Sequence, residues 1–264
     1  MARQQGDHGA KAFTVRTQTT RLKRKLSYAL LTRFNVRIMN RSVPNREWML
    51  HRISLFEEFC LPSVANQTDQ DFVWLIFIDK DTDPDLLQRI MALKVVRPFE
   101  LCLTEGGRRR HFIRPAVKQY IPRADYLVST RLDNDDAIGK YFIADVKACV
   151  TGSTRLWINF RCGLVLSDGG LYKATQESNP FLSLIEPFLK FRTAFAKGHN
   201  RADSLAPIHE PSARPAWMKI IHGQNICNQV RSDYIPVGPD QVSDLLEDYP
   251  TQIKRHVLRI YNLS

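Results

Sequence analysis

The sequence predicts an α/β fold, with a mostly parallel sheet flanked by helices and a divergent second half. Three observations predict it. Strand-like apolar runs alternate with helical periodicity between residues 28 and 136, an order typical of parallel βαβ units. The run 72–78 is apolar throughout, as a strand buried on both faces requires. Acidic residues directly follow two of these runs, at the strand ends where open parallel sheets bind ligands.

Each element of the first half has a local signal. Apolar residues recur at helical spacing over 48–64, and Asp83 followed by Pro84 is typical of a helix start. The predicted elements of the first half are strands at 28–36, 72–78, 99–103 and 126–132 and helices at 48–64, 85–94 and 115–120. Those of the second half are a helix at 138–150, a hairpin of strands at 155–160 and 163–167, a loop and helix over 180–196, and a strand at 217–221.

Length and composition predict one globular domain. The chain has 264 residues, of which 44% are hydrophobic, enough for a sizeable core. No run reaches the roughly 18 apolar residues of a membrane span. The five cysteines are scattered without a CxxC pair, so no zinc site or disulfide framework is indicated and a reducing, cytoplasmic location is expected. We predict a basic tail at 1–26 and one domain at 27–264, with halves at 27–136 and 137–264.

The net charge of +11 is unevenly distributed. Residues 1–26 contain seven Lys and Arg and one acid, so this tail is expected to be solvated and disordered or to rest on anionic lipid at the inner face of a membrane. A second basic cluster, Arg108 to Arg110 with Arg114, follows two glycines. It is either a solvated loop or a clamp on phosphate or on an acidic acceptor.

Three carboxylates follow the strand at 126–132 within four residues. They are Asp133, Asp135 and Asp136. So much negative charge at a strand end is costly without a cation, and a divalent metal carrying a nucleotide diphosphate would supply one. The alternative is a solvated acidic turn. Asp79, at the end of the strand 72–78, lies at the same predicted edge and favours the ligand site.

The order of these motifs resembles the GT-A glycosyltransferases, and more narrowly the rhamnosyltransferase family of bacterial sugar transferases. A Ser-x-x-x-Gln-Thr turn at 63–68 precedes the second strand, and an Asp-x-Asp-Asp cluster follows at 133–136. The resemblance covers about residues 28–230. The segments that carry it are Leu-Thr-Arg-Phe-Asn at 31–35, Phe-Val-Trp-Leu-Ile at 72–76, Arg-Leu-Asp-Asn-Asp-Asp at 131–136 and Pro-Ala-Trp-Met-Lys-Ile-Ile-His-Gly-Gln-Asn at 215–225.

The resemblance implies a metal-assisted enzyme of GT-A-like fold that moves a sugar, expected to be rhamnose or another deoxyhexose, to a saccharide or glycolipid acceptor. The implied donor is a dTDP-, UDP- or GDP-linked sugar. By the same resemblance, Asp135 is the Mn²⁺ or Mg²⁺ ligand, Asp136 an alternative ligand and His222 a further one. Asp133 and Asp79 would contact the donor.

Two arginines beside these positions are further candidates for donor binding. Arg131 either pairs with the diphosphate or neutralises the neighbouring acids, and Arg33 follows the first strand closely enough to approach the nucleotide. An inverting transferase also needs a carboxylate base. Glu186 is the first candidate, with Asp168 and Glu177 as alternatives.

Two other classes of function stay open. A nucleic-acid-binding protein or metal-dependent nuclease would use the positive charge and the acidic cluster. Against it, aromatic residues are not interleaved with the basic ones as stacking surfaces require, so no nucleic-acid partner is expected. An inactive transferase scaffold that only binds is the third hypothesis, and the intact acidic cluster argues against it.

Overall fold

The computed structural model describes residues 25–37, 44–151, 155–211, 214–224 and 229–263. The predicted tail at 1–26 therefore lies outside the described residues, apart from its last two. None of the helices in these ranges is long and apolar enough to cross a membrane.

The elements follow the predicted alternation through the first half. The strands are β1 (Leu26–Arg33), β2 (Val73–Asp79), β3 (Glu100–Thr104), β4 (Tyr126–Arg131), β5 (Ala137–Ile138), β6 (Leu156–Ile158), β7 (Cys162–Ser167), β8 (Gly170–Thr175), β9 (Ser183–Pro187), β10 (Ile208–His209), β11 (Trp217–Ile220) and β12 (Ile235–Pro236). The α-helices are α1 (Arg46–Leu55), α2 (Leu61–Ala65), α3 (Pro84–Ala92), α4 (Arg109–Tyr120), α5 (Phe142–Ala148), α6 (Pro239–Leu245) and α7 (Thr251–Ile260). A π-helical turn, Phe56–Cys60, joins α1 to α2.

The central sheet confirms the predicted fold class. It has seven strands in the order β10-β6-β9-β4-β1-β2-β3. Strand β1 pairs in parallel with both β2 and β4, and β2 pairs in parallel with β3. The carboxyl ends of these four strands therefore meet at one edge, which is where a ligand is expected.

A second, five-stranded sheet has the order β12-β8-β7-β11-β5. Strands β7 and β11 are parallel, and β11 is held tightly because the Trp217 ring lies directly on the Gly163 backbone. A Cβ at Gly163 would come within 2.1 Å of that ring. Trp217 also stacks on Phe181 and donates to the Phe160 carbonyl at 2.6 Å. This packing fixes the strand that leads directly to His222.

Two predictions for the second half are wrong. The segments 155–160 and 163–167 form no hairpin, because β6 pairs with β9 and β7 pairs with β8. The predicted loop and helix over 180–196 instead contains β9, which lies antiparallel to β4. A short apolar run such as Ser-Leu-Ile suits a helix or a strand equally well, and pairing with the buried β4 decides for the strand.

Candidate functional site

The acidic cluster lies where the carboxyl ends of the parallel strands meet. Residues 133–136 follow β4, Asp79 ends β2, and Arg33 ends β1. The second sheet reaches the same place, because the main-chain N–H of Ile220 in β11 donates to Asp136 Oδ1 at 2.9 Å. The structure therefore brings together Asp79, Asp133, Asp135, Asp136, Arg33, Arg131 and His222 at one edge of the fold.

Asp135 is the centre of a buried polar network. Its Oδ2 receives the Arg52 guanidinium and lies 2.9 Å from His222 Nε2. The other nitrogen of His222, Nδ1, lies 2.9 Å from His51 Nε2. Arg52 also donates to the side-chain oxygen of Asn134. Helix α1 thus supplies a guanidinium group and a second imidazole to a cluster of side chains that are nearly all buried.

The pKa values of two neighbouring acids in this cluster shift in opposite directions. Burial opposes ionisation of Asp135, but the hydrogen bond from His222 and the charge of Arg52 outweigh it and lower its pKa. Burial and the charges of Asp135 and Asp133 raise the pKa of Asp136 well above its usual value. Of these two acids, Asp135 is therefore the better able to carry a negative charge.

The donor chemistry at Asp135 suits a divalent cation. A carboxylate oxygen and an imidazole nitrogen suit Mn²⁺, and the two lie within 2.9 Å of each other at Asp135 and His222. In the described part of the chain, no three His, Cys, Asp or Glu side chains form a metal-binding group. Cations of the Mg²⁺ type commonly take one or two protein ligands and complete their shell with water and substrate phosphate, so two ligands fit. Arg52 holds the charge of Asp135 balanced in the protein alone.

Asp79 is fully buried and engaged by its neighbours. Arg37 donates to both of its carboxylate oxygens, at 2.6 and 3.0 Å, and the main-chain N–H of Asp81 donates to Oδ1 at 3.0 Å. The side chain of Asn35 accepts from the Asp79 main chain. The ends of β1 and β2 are thus tied together, which forms a rigid floor beside the acidic cluster.

Three arginines surround one phenyl ring on the other side of the cluster. The guanidinium carbons of Arg33, Arg109 and Arg131 lie 4.8, 5.7 and 5.7 Å from the centre of the Phe195 ring. We call these four residues the arginine cage. Several guanidinium nitrogens of the cage are buried without a hydrogen-bond partner, namely Nε of Arg33 and both Nε and Nη2 of Arg131. The Arg131 side chain as a whole is only 6% exposed.

The electrostatics of the cage are unfavourable in the protein alone. Burial, opposed by the charge of Asp133 and reinforced by the charges of Arg109 and Arg33, lowers the pKa of Arg131 to about 10. Burial likewise lowers the pKa of Arg33. Unpaired buried N–H groups and converging like charges are both costly. An anion bound between the arginines would relieve both costs, so the cage has the chemistry of a phosphate site.

The matching family model is described as "Putative rhamnosyl transferase" and covers residues 39–234. The chain belongs to this family. The predicted membership in a rhamnosyl transferase family of glycosyltransferases is therefore confirmed. No curated protein matches the chain.

Several solved structures are similar in fold. S. aureus TarS 1–349 in complex with UDP-GlcNAc has 14% identity, with 89% of this chain and 70% of that chain covered and a TM-score of 0.49. A second structure of TarS 1–349 has 12% identity and a TM-score of 0.44, with 74% of this chain covered. This chain spans only 60% of that chain. The structure of the mannosyltransferase PcManGT from Pyrobaculum calidifontis in complex with GDP-Man and Mn²⁺ has 12% identity and a TM-score of 0.42. The match covers 91% of this chain and 70% of that chain.

The three candidate bases of this rhamnosyl transferase family member are far apart in the fold. Asp168 is exposed in the turn after β7, beside the end of β11 that leads to His222. Glu177 follows β8 at the opposite edge of that sheet and lies 3.5 Å from Arg161. Glu186 is opposite Leu127 near the beginning of β4, whereas the acidic cluster follows its end. The geometry brings Asp168 nearest to the cluster, and the identity of the base stays a prediction.

Glu186 instead supports the arginine cage. Its Oε1 accepts the main-chain N–H groups of Arg192 and Thr193, at 2.9 and 2.7 Å, and its Oε2 accepts Nε of Arg155 at 3.0 Å. Thr193 is held at φ 74°, a left-handed conformation that non-glycine residues rarely adopt. The next N–H, of Ala194, donates to Ser129 Oγ at 2.8 Å. The strained turn thereby places Phe195 under the three arginines.

We expect Glu186→Ala to lower the free energy of unfolding by about 3 kcal/mol, because two buried N–H groups and Arg155 lose their acceptor. Glu186→Gln keeps an acceptor and should fold. Burial raises the pKa of Glu186, so its contribution is fully present below its ordinary pKa and declines as pH rises through the raised value. Urea denaturation between pH 4 and 8 should show this decline in the wild type but not in the Gln variant. An identical pH dependence in both would contradict the assignment.

Three contributors to the site were missed in the sequence: His51, Arg52 and Phe195. Each lies on a helix or loop distant in the chain from the residues it contacts. Arg109 belongs to the basic cluster at 108–110, for which the sequence left a solvated loop or a phosphate clamp open. Arg33 and Arg131 are both arginines at the ends of neighbouring strands. This repetition was the other indication of the cage in the sequence.

Proposed function

We propose that this protein transfers a sugar from a nucleoside diphosphate sugar to an acceptor hydroxyl. The observation that carries the proposal is the arginine cage beside Asp135. A buried site with unpaired guanidinium N–H groups fits a diphosphate, because arginine binds phosphate oxygens through two parallel hydrogen bonds. Membership in the rhamnosyl transferase family supports the same reaction class and makes rhamnose the proposed sugar.

The chemistry required of the protein is charge stabilisation. As the bond between the sugar and the diphosphate breaks, negative charge grows on the leaving phosphate, and positive groups fixed in place stabilise that charge without reorganising. Arg33, Arg109 and Arg131 are fixed in this way by Phe195. A divalent cation held by Asp135 and His222, with Asp136 as the alternative ligand, would neutralise further charge on the diphosphate when bound.

The remaining residues orient the donor. Asp133, half-buried between the cage and Asp135, is proposed to accept hydrogen bonds from sugar or ribose hydroxyls. Asp79 and Arg37 are proposed to line the nucleoside side, because they end the neighbouring strand. An inverting reaction needs one carboxylate to remove the acceptor proton, and among the three candidates we propose Asp168, which is exposed at the same edge as His222.

A thermal-shift screen tests the proposal. The full chain is heated with dTDP-, UDP- and GDP-sugars, each with and without Mn²⁺, and with the matching nucleoside monophosphates as controls. We expect at least one diphosphate sugar to raise the melting temperature, because a ligand at 100 times its Kd stabilises by about 2.7 kcal/mol. The monophosphates should stabilise less. If no nucleotide sugar stabilises the protein under either condition, the proposed function is wrong.

A further inference from the structure

The excess positive charge of the chain lies in three segments. Residues 106–124 and 187–202 contain no Asp or Glu. Their ten basic residues are Arg108, Arg109, Arg110, Arg114, Lys118, Arg123, Lys190, Arg192, Lys197 and Arg201. Residues 1–26 add a net charge of +6. Because the whole chain has a net charge of +11, the residues outside these three segments are net negative. Positive charge is thus concentrated on particular segments and does not cover the whole protein.

These two acid-free segments pack against each other. Ile113 and Val117 of α4 share a hydrophobic cluster with Phe191 and Phe195, and the Arg114 guanidinium lies 5.5 Å from the centre of the Phe191 ring. They therefore form one surface. Its outward-facing basic side chains, which we call the basic surface, are Arg114, Lys118, Arg123, Lys190 and Arg192, all exposed.

The basic surface also carries an exposed apolar side chain and meets the beginning of the described chain. Leu189 is 75% exposed, and its neighbour Phe188 is tied to the start of β4 by a main-chain hydrogen bond to Asp125. The Asp125 carboxylate accepts the main-chain N–H of Lys25 at 2.9 Å. Lys25, the first described residue, therefore lies beside the basic surface.

We propose that the basic surface binds the anionic face of a lipid membrane. Each Lys or Arg near such a face contributes about 1 kcal/mol, and a projecting leucine can enter the headgroup region. Buried apolar area and electrostatic attraction to anionic lipid together set the strength of such binding. A nucleic acid would need stacking aromatic side chains, and no exposed aromatic residue lies on this surface in the described part of the chain.

Vesicle co-sedimentation of the full chain tests this proposal without any nucleotide sugar, so its outcome is independent of the proposed function. We expect binding to phosphatidylcholine vesicles that contain phosphatidylglycerol, weakening with salt, and no binding to phosphatidylcholine alone. The double variant Lys118→Ala/Arg123→Ala should bind about thirtyfold more weakly, the combined effect of two charges. Leu189→Ser should bind about fivefold more weakly because apolar contact is lost.

The matched control is Arg255→Ala/Arg259→Ala, which removes the same charge from exposed positions on α7. The buried side of α7 packs in a different hydrophobic cluster from that of the basic surface. This control variant should bind vesicles like the wild type. All variants should keep the wild-type melting temperature, which excludes misfolding. Equal binding of the two double variants, equal binding to neutral vesicles, or salt-sensitive binding to RNA without vesicle binding would each overturn the proposal.

Discussion

The substitution Asp135→Asn should weaken Mn²⁺-dependent binding of the donor by about 100-fold or more while the protein stays folded. Asn keeps a side-chain oxygen for Arg52, which donates to Asp135 in the wild type, and it removes the charge that a cation needs. Removing one fixed group that stabilises charge in a buried site typically costs about 100-fold or more. Calorimetry of the stabilising nucleotide sugar, with and without Mn²⁺, measures the effect.

Asp136→Asn is the matched control for this prediction. Burial and its acidic neighbours favour the neutral form of Asp136, and its Oδ1 already accepts a main-chain N–H. An amide imitates that neutral state, so donor affinity should change by less than about threefold, within the ordinary range for replacing a satisfied neutral partner. A large loss in the Asp136 variant and none in the Asp135 variant would exchange the roles of the two acids.

Arg131→Met should weaken donor binding by about 50-fold, because a hydrogen bond to a charged group contributes about 1.5–3 kcal/mol. The same change should leave the free protein as stable as the wild type or more stable, since it removes a buried guanidinium that has unpaired N–H groups and is repelled by two others. Urea denaturation and calorimetry measure the two effects separately. A residue with only a structural role would lose stability together with affinity.

Two further variants sharpen this test. Arg131→Lys keeps the charge but loses the planar fork, so it should recover only part of the affinity. Arg114→Met removes an arginine over the ring of Phe191, outside the cage, and should bind the donor like the wild type. Equal losses at positions 114 and 131 would mean that the general positive charge of α4 and its surroundings, and not the cage, attracts the donor.

The acidic edge of the fold could be predicted because two apolar strands end directly in carboxylates. Helix α1 was also predicted, but not the role of Arg52, which lies 83 residues before its partner Asp135. A basic residue on a predicted helix is normally solvated, and only tertiary packing turns this one inward. Position along a sequence carries no information on such a contact.

The direction of a strand was the second piece of missing information. Glu186 follows an apolar run, as Asp79 and Asp133 do, and by sequence alone it resembles a further carboxylate at the ligand edge. Strand β9 is antiparallel to β4, so its end lies at the other edge. Phe195 was missed for a related reason, since a strained turn at Thr193 reverses the chain and brings the ring back to the strand ends.

Under the proposed function, the arginine cage has a consequence for the end of the catalytic cycle. The diphosphate that we propose it binds would be present before and after sugar transfer, and the departing nucleotide would carry more negative charge than the donor. Three fixed guanidinium groups would therefore hold the product more tightly than the substrate. We expect turnover to be limited by nucleotide release, and the free nucleoside diphosphate to be a strong competitive inhibitor against its own sugar derivative.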